Sequence, residues 1–126
     1  MKLMDLVKAY SAALDMGAVV WPYDLALALV RIKRAVAGDF EFFFEKEQEL
    51  ALKYAALDDD GNLRMLSPTR FTLRDPSLRV EYEAARSELC NTETGAVVTR
   101  VRVNAPAEIK PEWLDALDPF IEFVTD

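Results

Sequence analysis

Apolar residues recur at helical spacing in the first part of the chain. The first apolar stripe consists of Leu3, Val7, Tyr10 and Leu14. Steps of three and four residues place these side chains on one face, which predicts a short amphipathic helix. Gly17 is a suitable residue to end that helix, and Trp21-Pro22 predicts an extended turn, because the residue before a proline is biased away from helical geometry.

A second and longer stripe follows the turn. Its members are Leu25, Leu29, Ile32, Val36, Phe40, Phe43, Glu47, Leu50 and Tyr54. The same spacing continues over about nine helical turns, and only Glu47 interrupts the apolar series. Asp24 can cap the start of this helix. Because the linker is short, the two helices are expected to form an antiparallel hairpin.

Four phenylalanines, Phe40, Phe42, Phe43 and Phe44, lie close together on the second helix. At 100° per residue they cover most of its circumference, so the helix must be buried on several sides. A short first helix cannot provide that cover alone. Either the C-terminal half of the chain covers it, or a second copy does, and we therefore regard these four residues as a candidate oligomer interface.

The second half of the chain contains strand patterns. Residues 63–66 and 70–74 flank Ser67-Pro68-Thr69 and predict a β-hairpin. Asp75 and Pro76 are typical of a helix start. Residues 97–103 alternate between two faces, which predicts a further strand. A last short helix is expected near Pro111, before an apolar tail at residues 120–123.

These elements predict an α+β fold in one domain, residues 1–126. A long helical hairpin (residues 1–57) packs with a small antiparallel three-stranded sheet from the hairpin-helix-strand region (63–104). A docking helix and tail (105–126) complete the domain. The docking helix and the helix that starts at Pro76 are the two further short helices of the fold. Helices and strands are segregated along the chain, as in other α+β proteins.

Arginines mark one face of the predicted sheet. The candidate ligand-binding residues are Arg64, Arg70, Arg74, Arg100 and Arg102. Guanidinium groups match carboxylates and phosphates in geometry and charge. Three interpretations remain open: a solvated face paired with local acids such as Glu81, Glu83 or Glu93, a contact with an acidic partner or subunit, or a site for a phosphorylated small molecule.

Composition and charge restrict the kinds of partner that the protein can bind and the cell compartment in which it is expected. The 126 residues include 52% hydrophobic residues, enough to form a core, and the net charge is −7. We do not expect so acidic a chain to bind nucleic acid, because its net charge repels the phosphate backbone. The sequence shows no signal peptide and no apolar run long enough to span a bilayer, and its one cysteine, Cys90, fits a reducing cytoplasm.

The sequence offers no familiar catalytic or metal-binding pattern. It has no histidine, which removes the commonest general base and metal ligand. Cys90, Ser67 and Ser87 therefore lack an activating imidazole. The acidic run Asp58–Asp60 before Gly61 fails the calcium-loop pattern at its first and last positions. We expect no enzyme activity, no metal and no cofactor.

Residues 109–123 form a distinctive closing segment, Ile-Lys-Pro-Glu-Trp-Leu-Asp-Ala-Leu-Asp-Pro-Phe-Ile-Glu-Phe. In this segment most strongly, the chain resembles a group of small uncharacterised proteins from tailed phages and prophages. The order of elements extends the likeness over nearly the whole chain, whereas Trp21-Pro22 and the phenylalanine cluster depart from it. The resemblance implies a non-enzymatic role in the cytoplasm of an infected or lysogenic bacterial host, or in the particle.

These observations lead to two functional hypotheses. The first is a self-associating binding protein that sequesters or inhibits a host factor or a small anionic signalling ligand. The alternative is a structural or assembly component of a phage particle. The arginines and the wide apolar surface of the second helix support the first hypothesis.

Overall fold

The computed structural model describes residues 1–125. Its first two helices form the predicted antiparallel hairpin. Helix α1 spans Leu3–Met16 and α2 spans Tyr23–Tyr54. The periodicity correctly places Leu25, Leu29 and Ile32 in the core, whereas Leu14 of the first predicted stripe is half exposed. Helix α2 continues through Gly38 without interruption.

Short strands and helices follow the hairpin. A β-hairpin is formed by β1, Met65–Ser67, and β2, Arg70–Phe71. A short 3-10 turn, Pro76–Leu78, leads into α3, Arg79–Cys90. The last elements are β3, Val101–Asn104, α4, Pro111–Leu117, and β4, Ile121–Val124.

The prediction of one antiparallel three-stranded sheet is wrong. The strands form two separate two-stranded sheets, β1 with β2 antiparallel and β3 with β4 parallel. The apolar tail is itself a strand, and it occupies the position beside β3 that the hairpin was expected to take. Parallel neighbours need a crossover connection, which the segment containing α4 supplies.

The hairpin instead packs beside the end of α2. The Ala56 N–H donates to the Thr72 carbonyl at 2.8 Å, and the Arg64 N–H donates to the Ala56 carbonyl at 2.9 Å. Bridges between Ala55 and Leu73 and between Leu57 and Leu63 extend this arrangement. The residues after α2 therefore act as a short additional strand that fixes the hairpin.

The core lies between the helical hairpin and the C-terminal elements. Its main cluster joins α1 and the first half of α2 to β3, α4 and β4, with Leu117 and Ile121 almost fully buried. A smaller cluster of Leu3, Val7 and Phe43 packs against Leu89 and Cys90 of α3. Helix α2 thus contacts different elements along its two halves.

Replacing Ile121 tests the structural role of β4. We expect Ile121→Ala to lower the free energy of unfolding by about 2–5 kcal/mol, because truncation of a buried side chain loses burial and leaves a cavity. Urea unfolding followed by circular dichroism measures this change. Val20→Ala is the control, since Val20 is 96% exposed and should change stability by less than about 0.5 kcal/mol. Equal effects would contradict the proposed core position of β4.

Candidate functional site

The five predicted arginines do not share one sheet. Arg64, Arg70 and Arg74 lie along the β1–β2 hairpin, whereas Arg100 and Arg102 lie at β3. The single five-arginine face is therefore a wrong prediction, and its cause is the division of the strands into two sheets. Each group of arginines has its own surroundings.

The two arginines at β3 contact the C-terminal segment. Arg100 Nε donates to the Asp118 carbonyl at 2.8 Å, and its Nη2 lies 3.3 Å from Asp118 Oδ1 and 3.2 Å from the Ile121 carbonyl. Arg102 Nε lies 3.5 Å from Glu122 Oε2. Local pairing with acids accounts for both arginines, although the acids are not those expected from the sequence.

The expected acids have other partners. Glu81 accepts a hydrogen bond from the Tyr54 hydroxyl at 3.0 Å, and Glu83 pairs with Arg79 at 3.1 Å. Glu93 pairs with the amino group of Met1. These acids thus leave the three hairpin arginines without a carboxylate partner among residues 1–125.

The four phenylalanines also separate into different environments. Phe43 is buried, and Phe40 stacks on Tyr10 with ring centroids 4.4 Å apart. Phe42 is exposed beneath Lys46, whose Nζ lies 5.7 Å from the ring centroid. Phe44 is 52% exposed. Helices α1 and α3 therefore cover Phe40 and Phe43, whereas Phe42 and Phe44 remain at the surface.

Phe44 lies at the edge of a groove of about 800 Å³, here called the hairpin groove. The second half of α2, the β1–β2 hairpin and α3 form its walls. The residues that define it are Phe44, Leu52, Leu66, Arg70, Phe71 and Tyr82. It brings one predicted ligand-binding arginine and one predicted interface phenylalanine to the same surface.

Local structure positions these side chains. Phe44 and Leu52 are eight residues apart on α2, which places them roughly 80° apart around the helix axis, within one broad helix surface. Tyr82 of α3 makes an edge contact with Phe71 of β2, with ring centroids 5.2 Å apart. Burial raises the pKa of the Tyr82 hydroxyl, so this side chain stays neutral at physiological pH.

Asp75 caps the 3-10 turn Pro76–Leu78 that leads into α3. Its Oδ1 accepts a hydrogen bond from the Ser77 N–H at 2.9 Å. Hydrogen bonds from the Ser77 backbone and side chain lower the Asp75 pKa below its ordinary value of 3.8. The folded pKa is the lower one, so this carboxylate stabilises the fold above the ordinary pKa, and the contribution is lost as the pH falls through the folded pKa.

Two of the three arginines that line the hairpin groove are paired with glutamates, and the third is not. Arg86 Nη2 lies 3.0 Å from Glu47 Oε2, and Arg79 pairs with Glu83. Burial acts to lower the Arg86 pKa, but the hydrogen bond with Glu47 and nearby negative charge outweigh it, so the pKa is raised. Arg70 is the groove cation that lacks a carboxylate partner within residues 1–125.

Glu47 was not among the predicted functional residues, although its position in the sequence is unusual. It is the one acid in the apolar stripe of α2, and the structure turns it towards Arg86 on α3. An acid at a semi-buried helix position indicates a cationic neighbour, because an unpaired buried charge is costly. The roles of Leu66 and Tyr82 had no comparable signal, since they depend on the placement of the hairpin beside α3.

The described residues hold no arrangement typical of a metal centre or a membrane span. Within residues 1–125, no group of three or more acidic or cysteine side chains is placed to bind a metal ion. No helix in the same range has the length and apolar character needed to cross a bilayer. The interactions that the hairpin groove offers to a ligand are therefore apolar contacts and charged or polar groups of its lining side chains.

Comparison with known proteins gives no relative on which a function could be based. No family model, no curated protein and no solved structure matches the chain significantly. The functional interpretation therefore depends on the residues of the hairpin groove.

The different surroundings of Arg100 and Arg102 can be tested by substitution. We expect Arg100→Ala to lower the free energy of unfolding by about 1–2 kcal/mol, because it removes charge-assisted hydrogen bonds that are partly exposed. Arg102→Ala removes one exposed ion pair and should cost less than about 0.5 kcal/mol. Chemical denaturation measures both changes. A neutral Arg100→Ala variant would show that this side chain does not hold the C-terminal segment.

Proposed function

We propose that this is a non-enzymatic binding protein of phage type that holds a small anionic ligand in the hairpin groove. The observation that carries the proposal is the position of Arg70. Arg70 lacks an acidic partner among the described residues and lines the same groove as the exposed apolar residues Phe44, Leu52 and Leu66.

The dimensions and lining of the groove support a ligand with an apolar body and an anionic group. Small-molecule sites commonly have volumes of about 300–1,000 Å³, with a few polar groups in a mainly apolar lining. Phe44, Phe71 and Tyr82 offer aromatic surface, and Arg70 offers a planar fork for a phosphate or carboxylate. A nucleotide combines both features and is the simplest probe.

Substitution of Arg70 tests ligand binding. Nucleotides should raise the melting temperature of the wild-type protein in a thermal-shift assay with mono-, di- and cyclic nucleotides. Arg70→Ala should weaken binding about tenfold or more, because a hydrogen bond to a charged group contributes about 1.5–3 kcal/mol. Arg74→Ala is the control, since Arg74 lies on the same hairpin outside the groove.

Two results would contradict this assignment. The first is an absence of any shift across the nucleotide panel. The second is an equal loss of the shift in the Arg70→Ala and Arg74→Ala variants, which would indicate nonspecific attraction of anions to the basic hairpin.

Self-association is the second part of the proposal. Phe44, Leu52 and Leu66 are 52%, 60% and 71% exposed, and a second copy seated over them would remove this apolar surface from water. It would also enclose the hairpin groove. The resemblance to phage proteins is compatible with such an assembly in an infected cell.

Light scattering tests self-association directly. We expect the wild-type protein to form a dimer or larger assembly at micromolar concentration, and Leu66→Asp to shift it to monomer, because a charge would be buried at the contact. Val80→Asp is the matched control, since Val80 is similarly exposed on α3 but lies outside the groove. A monomeric wild-type protein would contradict this part of the proposal.

A further inference from the structure

Among residues 1–125, strand β3 pairs with another strand along one of its edges, the edge beside β4. The Val101 N–H donates to the Phe120 carbonyl at 3.0 Å, and the Ala105 N–H donates to the Val124 carbonyl at 2.8 Å. Because alternate residues of a strand direct their backbone groups to opposite edges, Arg102 and Asn104 belong to the other edge. The Asn104 N–H donates to Asp24 Oδ2 at 3.1 Å, so this edge faces the start of α2.

The segment that leads into β3 has unused backbone groups. Residues 97–100 make no backbone hydrogen bond with any residue of the described range 1–125. The sequence nevertheless favours a strand, since β-branched residues dominate it. Val98 packs against the core while Val97 is 94% exposed. The predicted strand thus forms only in its second half.

A second groove, of about 550 Å³, separates this segment from α2, and we call it the edge groove. Its apolar walls include Leu27, Ile32 and Val36 of α2, together with Val97, Val101 and Phe120. The edge groove therefore combines an apolar wall with a strand edge whose hydrogen-bonding groups are partly unpaired.

We propose that the edge groove binds an extended segment of another protein, which adds as a strand beside residues 97–102. Main-chain hydrogen bonds to an exposed edge provide affinity in this mode of recognition, and alternate side chains provide specificity. One face of the added strand would contact the apolar wall of α2. This inference does not depend on ligand binding in the hairpin groove.

Helix α2 contributes three charged side chains to the edge groove. Asp24 already accepts hydrogen bonds from the Leu25 and Asn104 N–H groups, so the other two define the chemistry of the partner. Arg31 and Asp39 both line the edge groove, and neither forms an ion pair with another residue in the range 1–125. They are eight residues apart, a rise of about 12 Å along the helix. A strand covers that distance in about four residues, which returns to the same face. The partner should therefore carry an acid and a base four residues apart.

The same segment of a second copy fits this groove poorly. Residues 97–103 contain Arg100 and Arg102 but no acid, so they offer nothing that could pair with Arg31. A segment from another protein can carry both charges and apolar side chains at alternate positions. Such a segment would contact the apolar wall of α2 and hydrogen-bond to the strand edge at the same time.

Synthetic peptides test this proposal. The probes are fluorescein-labelled peptides of about nine residues, a usual strand length, with alternating valine and threonine. One carries Glu and then Lys four residues later, the second carries the reverse order, and the third carries two Glu residues. By fluorescence anisotropy, the wild-type protein should bind one mixed peptide about tenfold more tightly than the peptide with two Glu residues, because charge pairs fix register and exclude mismatched partners.

Charge reversal on α2 provides the decisive comparison. The double variant Arg31→Glu/Asp39→Lys should bind more tightly to the mixed peptide that the wild-type protein binds less tightly. An unfolded protein could not show this reversed preference. Arg34→Glu should keep the wild-type preference, since Arg34 is exposed on the same helix outside the edge groove. N-methylation of alternate peptide backbone nitrogens should abolish binding, because it removes main-chain donors.

Several outcomes would overturn the proposal. These are absence of binding at millimolar peptide, equal affinity for the three peptides, and a preference that the double reversal leaves unchanged. Binding that survives N-methylation would also overturn it. A wild-type dimer that the double reversal converts to monomer would assign the edge groove to a second copy instead.

Discussion

β3 pairs in parallel with β4, and the C-terminal side of the core and the edge groove depend on this contact. The pairing brings Phe120 and Ile121 into the main core beside the helical hairpin. It also places Asp118 and Glu122 next to Arg100 and Arg102, so these arginines have partners within the chain. Since β4 occupies one edge of β3, the other edge is turned towards α2, where it forms a wall of the edge groove.

The length of α2 keeps the two grooves apart. This helix has 32 residues, and its first half packs with α1 and β3 while its second half packs with α3 and the hairpin. Arg31 lies at the edge groove and Leu52 at the hairpin groove, about 30 Å apart at 1.5 Å per residue. Each groove can therefore bind its own partner without steric overlap.

Local periodicity was sufficient to predict the helices. The repeated spacing from Leu25 to Tyr54 specifies one buried face, and that face exists whatever element packs against it. The sheet depended on a contact between distant segments, and the choice between β4 and the hairpin as partner of β3 is not encoded in local alternation. The tail was expected to dock, but its pairing with Val101–Asn104 requires the crossover through α4 to be placed first.

The candidate sites also depend on contacts between distant segments, which local sequence patterns do not specify. Arg70 and Phe44 were both selected from the sequence, but for different roles, and only the packing of the hairpin beside α2 brings them to one groove. Arg31 and Asp39 were not selected, because single charges on an amphipathic helix are usual at its solvated face. Their importance arises from the unpaired strand edge opposite them, which periodicity alone cannot reveal.

The overall charge of the chain restricts what either groove can recognise. A net charge of −7 opposes the approach of anions at long range, but at physiological ionic strength this field is largely screened beyond about 8 Å. Arg31 and Arg70 act at contact distance, where screening is weaker. The long-range field of the protein provides no attraction for an anionic partner. Recognition at the hairpin groove must therefore come from close apolar contact and direct pairing with Arg70. At the edge groove it must come from main-chain hydrogen bonds, apolar contact and pairing with Arg31 and Asp39.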